Sequence, residues 1–297
     1  MASLRSKLLA SVMRVTMKKM LGRSGDVDKE RASLDKMSGM TASRKPGQST
    51  EVGGVSGEWQ YCEGAQPERT ILYLHGGGYA LGGPDSHRDM VGAIADATQA
   101  KALILDYRLG PETPFPGAVD DAVAAYQALL DDGEEAGKIF VAGDSAGGGL
   151  TAATLVAIKD KGLPMPAGGV CISPWADLTF SGRSMYTKAV DDAMLSKETL
   201  SWMADLYLAG QDASHPLASP IYADLSGLPP LLIQVGGDEV LLDDSLTLHE
   251  RAKAAGVDST LEVWDDMMHV WHLMAKFIPE GRLAMKSIAE FMGKHTA

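Results

Sequence analysis

"KIFVAGDSAGGGL", residues 138–150, predicts a strand, a tight turn and a helix in direct succession. An apolar run of strand length leads into Ser145, and a run of small residues that can open a helix follows it. Residues 143–147 fit the pattern G-x-S-x-G, in which a serine occupies a strained turn between a strand and a helix. Glycines two positions before and two after the serine let neighbouring backbone approach without a Cβ clash. The stretch therefore predicts a catalytic serine, with a plain helix N-cap as the alternative interpretation.

The segments on both sides of this stretch alternate between strand-like and helix-like patterns. Short strands are expected around 52–62, and apolar runs rich in β-branched or aromatic residues predict further strands at 70–75, 101–108, 138–144, 168–175, 230–237 and 259–264. Helical patterns lie between most of these runs, at 86–97, 117–130, 146–161 and 243–255. This alternation predicts an α/β fold, with a mostly parallel central sheet and helices on both of its faces.

One interval, residues 177–223, breaks the alternation. It contains a helical pattern near 197–208 but no strand-like run, and inserted segments of this length are usually functional. We interpret it as half of a helical cap over the carboxyl edge of the sheet, where open α/β sheets bind ligands. The N-terminal helices, within residues 1–45, would form the other half. A catalytic α/β domain would then consist of two parts, residues 46–176 and 224–297.

The first 21 residues have apolar side chains at helical spacing, which predicts an amphipathic helix. Their continuous apolar run, residues 8–13, is short and is closed by Arg14, so neither a signal peptide nor stable membrane insertion is expected. The helix could lie on a membrane surface or pack over the body of the protein. We favour packing over the body.

Composition and charge narrow the range of functions. The 297 residues include 45% hydrophobic and 22% charged residues, which is an ordinary balance for a globular protein with a core. A formal net charge of −12 argues against a nucleic-acid partner, because phosphates would be repelled. Two distant cysteines, Cys62 and Cys171, provide neither a disulfide framework nor metal-ligand spacing. A cytoplasmic protein without a metal or cofactor is therefore expected.

A glycine-rich loop is the second motif with chemical meaning. His75, Gly76, Gly77 and Gly78 follow a predicted strand directly. Acyl transfer places negative charge on a carbonyl oxygen, and backbone N–H groups fixed in advance stabilise that charge. We expect Gly77, Gly78 and Ala146 to donate to this oxyanion, and the role of Gly76 stays open. A flexible turn is the alternative interpretation of the loop.

A serine nucleophile also requires a base and an acid. His269 and His272 follow the predicted strand 259–264, and His269, nearer to the strand end, is the preferred base. The segment 236–244, after the strand before it, offers several carboxylates. Loops after parallel strands meet at one edge of the sheet, so these groups are expected to lie near Ser145.

Five motifs together resemble the hormone-sensitive-lipase family of α/β-hydrolases, in its GDSAG branch of bacterial esterases. The motifs are HGGG (75–78), YRLGPETPFPGAVDDA (107–122), GDSAGG (143–148), SPWADL (173–178) and GGDEVLLDD (236–244). The resemblance extends from about Ile71 to the C-terminus and implies the α/β-hydrolase fold. The family usually has D-x-L-x-D-E after the acid-bearing strand, with the first Asp as the catalytic acid. Aligning that frame places Glu239 at the acid position, with Asp238 as the alternative.

The expected function is a serine carboxylesterase that forms an acyl-enzyme. The resemblance implies short acyl chains in small ester substrates, no cofactor and a homodimer. A lactone hydrolase would use the same groups, as would an amidase. The alternative that is not an enzyme is a ligand-binding protein on the same fold. Retention of a serine, a histidine and a candidate acid argues against it.

Other side chains are expected to line a pocket or to stabilise the local structure. Tyr79 and a helical stripe of Trp202, Met203 and Leu206 are candidates for the substrate pocket, with core packing as the alternative. Arg108 and Glu112 are interpreted as an ion pair, Asp144 as a local hydrogen-bonding group, and Asp243 and Asp244 as caps of the helix that begins there.

Overall fold

The computed structural model describes residues 2–20, 24–41, 43–62 and 67–296. Its strands are β1 (Gln48–Val52), β2 (Val55–Tyr61), β3 (Arg69–Leu74), β4 (Ala100–Leu105), β5 (Ile139–Asp144), β6 (Gly168–Ile172), β7 (Leu231–Gly236) and β8 (Ser259–Trp264). Its α-helices are α1 (Leu4–Met20), α2 (Val27–Thr41), α3 (Pro84–Thr98), α4 (Gly117–Asp131), α5 (Ala146–Asp160), α6 (Ser184–Thr187), α7 (Lys197–Leu208), α8 (Leu242–Ala254) and α9 (Pro279–His295). The strands and helices predicted from the patterns are all present, with ends shifted by a few residues.

The described strands form one eight-stranded sheet in the order β1-β2-β4-β3-β5-β6-β7-β8. β1 and β2 are antiparallel to their neighbours, and the strands from β4 to β8 pair in parallel. The predicted mostly parallel sheet is confirmed. β5 lies in the middle, next to β3 and β6, so the residue that follows it emerges at the centre of the carboxyl edge.

Helices cover both faces of the sheet, as predicted for an α/β fold. One apolar cluster contains side chains of α4, α5 and α8, such as Tyr126, Leu155 and Leu248. The cluster on the other face contains side chains of α3 and α9, such as Ile94 and Ile288. Every residue of β5 and β6 is buried, so both strands are held firmly in the sheet. The loops that follow them therefore begin at fixed positions.

The N-terminal helices pack against the body of the protein. The α1 residue Met13 contacts a cluster formed mainly by residues 267–284, and Arg14 donates to the carbonyl oxygen of Asp191. From α2, Arg31 donates to the carbonyl oxygens of Ala80 and Gly110. These contacts agree with the interpretation of α1 as a helix packed over the body.

None of the described helices is both long enough and apolar enough to cross a membrane. The four-part division of the chain stays a prediction.

The predicted ion pair between Arg108 and Glu112 is wrong. Arg108 forms its ion pair with Asp121, at 2.6 Å between Nη2 and Oδ1. Glu112 pairs instead with Arg31 of α2, at 2.7 Å. The sequence placed the two side chains in one loop, but each finds a partner on a helix that packs against that loop.

The predicted capping role of Asp243 and Asp244 is also wrong. The N-cap of α8 is Leu241, and both carboxylates lie in the first turn of the helix. They accept backbone N–H groups of the 177–223 insertion and of the segment just before it. Asp243 accepts from Ser184, and Asp244 accepts from Ala176 and Asp177. The two residues therefore hold the base of the insertion.

Candidate active site

Ser145 lies in a strained turn between β5 and α5. Its φ of 56° and ψ of −122° are unusual for a residue with a side chain, and it makes no side-chain capping bond to the helix. A Cβ atom on Gly147 would lie 1.9 Å from the carbonyl oxygen of Leu74, and one on Gly143 would lie 2.5 Å from it. Glycine is therefore required at both positions, which confirms the steric role predicted for them. Ser145 occupies the N-cap position, but its hydroxyl points elsewhere.

The structure brings Ser145, His269 and Glu239 into one line of hydrogen bonds. The distance from Ser145 Oγ to His269 Nε2 is 2.9 Å, and His269 Nδ1 lies 2.7 Å from Glu239 Oε2. Ser145 is 8% exposed, His269 3% and Glu239 0%. Burial strengthens electrostatic interactions between these groups because little water screens them. All three side chains are thus buried, and Glu239 is the most deeply enclosed.

His272, the alternative base, is turned away from this line. Its Nε2 lies 2.7 Å from Gln234 Oε1, in a short 3-10 turn at 271–274. Burial lowers the pKa of His272 to about 3, so its imidazole stays neutral. The two histidines are only three residues apart in the sequence, but only His269 contacts Ser145 among the partners that the structure describes.

Glu239, rather than Asp238, contacts the base. Its other oxygen, Oε1, accepts from the backbone N–H of Gly236 and from the hydroxyl of Ser173, each at 2.6 Å. Asp238 faces outward, where its carboxylate lies 3.7 Å from the ammonium group of Lys188. Burial raises the pKa of Asp238, and the charge of Lys188 opposes that effect.

The electrostatic environment raises the pKa of the His269 imidazole. Burial lowers the pKa of His269, but the charge of Glu239 and its hydrogen bond raise it more. Asp192 and Asp144 add smaller contributions in the same direction. The net result is a pKa above the usual value for histidine, which suits a group that accepts a proton during a reaction.

The glycine loop after β3 has free donors beside the serine. Within the described part of the chain, the N–H groups of Gly77, Gly78 and Ala146 have no acceptor. Gly77 and Gly78 have φ values of 120° and 63°, which side-chain-bearing residues rarely adopt. Gly76 differs because its N–H already donates to Asp144 Oδ1, at 3.1 Å. The N–H of Gly76 is therefore already bonded, unlike those of Gly77 and Gly78.

Asp144 links the glycine loop to the serine turn, whereas only a local hydrogen-bonding role was predicted for it. Its carboxylate accepts from Tyr73 Oη at 2.8 Å and from the Gly76 N–H, and it lies 3.3 Å from His87 Nε2. Burial raises the pKa of Asp144, but His87 and Tyr73 lower it more, so the carboxylate stays charged. No motif or spacing predicted that His87, on α3, would reach this carboxylate.

The four residues predicted for the substrate pocket lie at different depths. Tyr79 is buried, and its ring stacks on Tyr207 with 3.8 Å between centroids. Met203 lies against the glycine loop, since a Cβ atom on Gly78 would come within 2.1 Å of its Sδ. Trp202 and Leu206 are only partly buried. The structure thus brings α7 to the glycine loop through Met203.

A separate cavity of about 770 Å³ lies between the N-terminal helices, α3 and the start of α9. Methionines such as Met13, Met37 and Met194 line it, together with His87. Its lining, taken over the described residues, does not include Ser145 or His269. No group of three His, Cys, Asp or Glu side chains in the described part of the chain could hold a metal ion.

Comparison with known proteins places this geometry in a family. A family profile described as the alpha/beta hydrolase fold matches residues 71–273. A crystal structure of an esterase from the bacterial hormone-sensitive lipase family superimposes with a TM-score of 0.93 and 47% identity, covering 100% of both chains. The chain belongs to the hormone-sensitive-lipase family of α/β-hydrolases.

Other members of this family carry names that indicate activity. An acetyl-hydrolase of Streptomyces hygroscopicus is 48% identical over 272 residues, which cover 91% of each chain. A crystal structure of EstE5 soaked with p-nitrophenyl butyrate has a TM-score of 0.91 and 46% identity, covering 99% of both chains. These relatives place the protein among the carboxylic ester hydrolases.

Proposed function

We propose that the protein is a serine carboxylesterase that hydrolyses short-chain carboxylic esters through an acyl-enzyme. The observation that carries the proposal is the line of hydrogen bonds from Ser145 through His269 to Glu239. This line lies beside unpaired N–H groups of the described chain at Gly77, Gly78 and Ala146. A nucleophile, a base, an orienting acid and an oxyanion site are the complete set that acyl transfer requires.

The mechanism follows from these positions. Neutral His269 takes the proton of Ser145 as Oγ attacks the ester carbonyl carbon, and the carbonyl oxygen becomes negatively charged. The free N–H groups of the glycine loop and of Ala146 stabilise that charge. Protonated His269, oriented by Glu239, gives its proton to the leaving alcohol as the C–O bond breaks. Water then attacks the acyl-enzyme by the same route and releases the acid.

Two observations support short acyl chains. The side chain of Met203 already fills the space next to Gly78, which limits the room beside the oxyanion loop. The relatives include a protein named acetyl-hydrolase and a structure soaked with a butyrate ester. We therefore propose acetyl and butyryl esters of small alcohols as the substrate class.

A series of p-nitrophenyl esters tests this function. We expect kcat/KM for the acetate and butyrate to exceed that for the laurate by about tenfold or more, because a long chain meets a filled pocket. Release of p-nitrophenolate by the purified protein is the measurement, and the Ser145→Ala protein is the control. Equal rates for laurate and butyrate would contradict the chain-length proposal, and no turnover of any ester would contradict the esterase itself.

The pKa of His269 predicts the pH dependence. The base must be neutral, so kcat/KM should rise as the pH increases through the pKa of His269, which lies above the usual value of about 6.5. Glu239→Gln removes the charge that raises this pKa most, so burial, which lowers it, is then opposed only by the smaller effects of Asp192 and Asp144. The acid limb of the residual activity should then move to lower pH. An acid limb below about 6.5 in the unaltered enzyme would contradict the expectation.

A further inference from the structure

Ser173 lies where the acid and base segments of the proposed active site meet. It follows β6 directly, between the loop that carries Ser145 and the loop that carries Glu239. Its Oγ lies 2.6 Å from Glu239 Oε1, and the backbone N–H of Val270 donates to the same Oγ at 3.2 Å. Ser173 is fully buried and has no place among the nucleophile, base and oxyanion donors.

The direction of these hydrogen bonds follows from the donors available. A serine hydroxyl has one proton and can accept as well as donate. Val270 N–H uses the accepting capacity of Oγ, and the Glu239 carboxylate can only accept, so the hydroxyl proton points to Oε1. With Gly236 N–H, two donors then hold Oε1, and Oε2 is left to His269.

The backbone around this contact is strained on both sides. Ser173 has a φ of 45° and Val270 a φ of 46°. The left-handed region is disfavoured for residues with side chains and most of all for β-branched ones such as valine. Strain of this kind persists where the surroundings fix it, and it gathers at functional sites. Here the two strained residues are joined by the Val270 N–H bond to Ser173, one residue after the base.

We propose that Ser173 is a positioning residue of the esterase, which holds the carboxylate of Glu239 and the His269 segment in register. The proposal rests on the proposed function, because it needs Glu239 and His269 in their catalytic roles. Ser173 acts through Glu239 and contacts no substrate. Glutamate has one more rotatable bond than aspartate, so a second donor on Oε1 is needed to fix which oxygen faces the imidazole.

Removal of the hydroxyl is the first test. Ser173→Ala should lower kcat for p-nitrophenyl butyrate about tenfold and leave KM within about twofold, because a charge-assisted hydrogen bond is lost away from the substrate. Ser173→Gly removes the same hydroxyl while it relaxes the backbone, and it should show the same loss. Ser245→Ala is the matched control, since the hydroxyl of Ser245 is also buried but has no partner in the described chain. Thermal unfolding of all three variants reports any loss of fold.

A double-mutant cycle separates positioning from a purely structural role. In the Glu239→Ala background, adding Ser173→Ala should reduce kcat by less than about twofold, because the group through which Ser173 acts is gone. An equal loss in both backgrounds, or full kcat in Ser173→Gly, would overturn the proposal. Ser145→Ala sets the background rate. If Ser145→Ala is as active as the unaltered protein, the proposed function fails as well. If it is inactive while Ser173→Ala keeps full kcat, only the assignment of Ser173 fails.

Discussion

Replacing Ser145 by alanine is expected to lower kcat for p-nitrophenyl butyrate by about 10⁶-fold, the size of effect that follows removal of the nucleophile in a Ser–His–acid enzyme. The serine Oγ lies 2.9 Å from His269 Nε2, and the change removes the atom that we propose forms the acyl-enzyme. The free N–H groups of the proposed oxyanion site remain. A small residual rate above that in water is therefore expected.

The Ser145→Ala variant should keep the fold of the protein. Alanine loses no hydrogen bond other than the one to His269, and it tolerates the φ of 56° about as well as serine does. Circular dichroism and thermal unfolding check this point. A folded Ser145→Ala protein that keeps more than about 1% of kcat would show that hydrolysis proceeds without this nucleophile.

Replacing Glu239 by alanine is expected to lower kcat by about 10⁴-fold, whereas Asp238→Ala should change it by less than about threefold. Glu239 Oε2 lies 2.7 Å from His269 Nδ1 and raises the pKa of the imidazole. Loss of that carboxylate leaves a buried ring without its orienting partner. Asp238 forms a partly exposed ion pair with Lys188 at 3.7 Å, and such pairs contribute little.

The two neighbouring acids serve as controls for each other. They are adjacent in the chain, but Glu239 is fully buried and Asp238 is partly exposed, so the fold of each variant is checked separately. Initial rates with p-nitrophenyl butyrate and circular dichroism of each purified variant are the measurements. A large loss in Asp238→Ala together with near-normal activity in Glu239→Ala would reverse the assignment of the acid.

The parts of the fold that the sequence predicted well are those set by local patterns. The apolar run before Ser145 and the glycines at 143 and 147 specify strand, turn and helix within a dozen residues. The strand before the acid, β7, is likewise buried and mostly apolar, whereas the strand before the base, β8, mixes apolar and polar residues. Parallel strands end at one edge of the sheet, so residues that follow them are expected to lie close together. This rule was enough to predict that Ser145, Glu239 and His269 meet.

Contacts between distant segments were not predictable in the same way. Arg108 pairs with Asp121 on the helix that follows its loop, and no periodic pattern marks that choice. Asp144 meets His87 from α3, and Ser173 meets Glu239 across 66 positions in the chain. A serine at the end of a buried strand was the only sequence signal for the last of these contacts. The homodimer and the cytoplasmic location expected from the sequence stay predictions.

Covalent labelling shows whether Ser145 is the nucleophile of the esterase. The unaltered protein is treated with a p-nitrophenyl alkylphosphonate, digested and mapped by mass spectrometry. We expect one phosphonyl group per chain, bonded to Ser145, with complete loss of esterase activity and no labelling of Ser145→Ala. A label on a different residue that abolishes activity, or full activity with Ser145 labelled, would contradict this expectation.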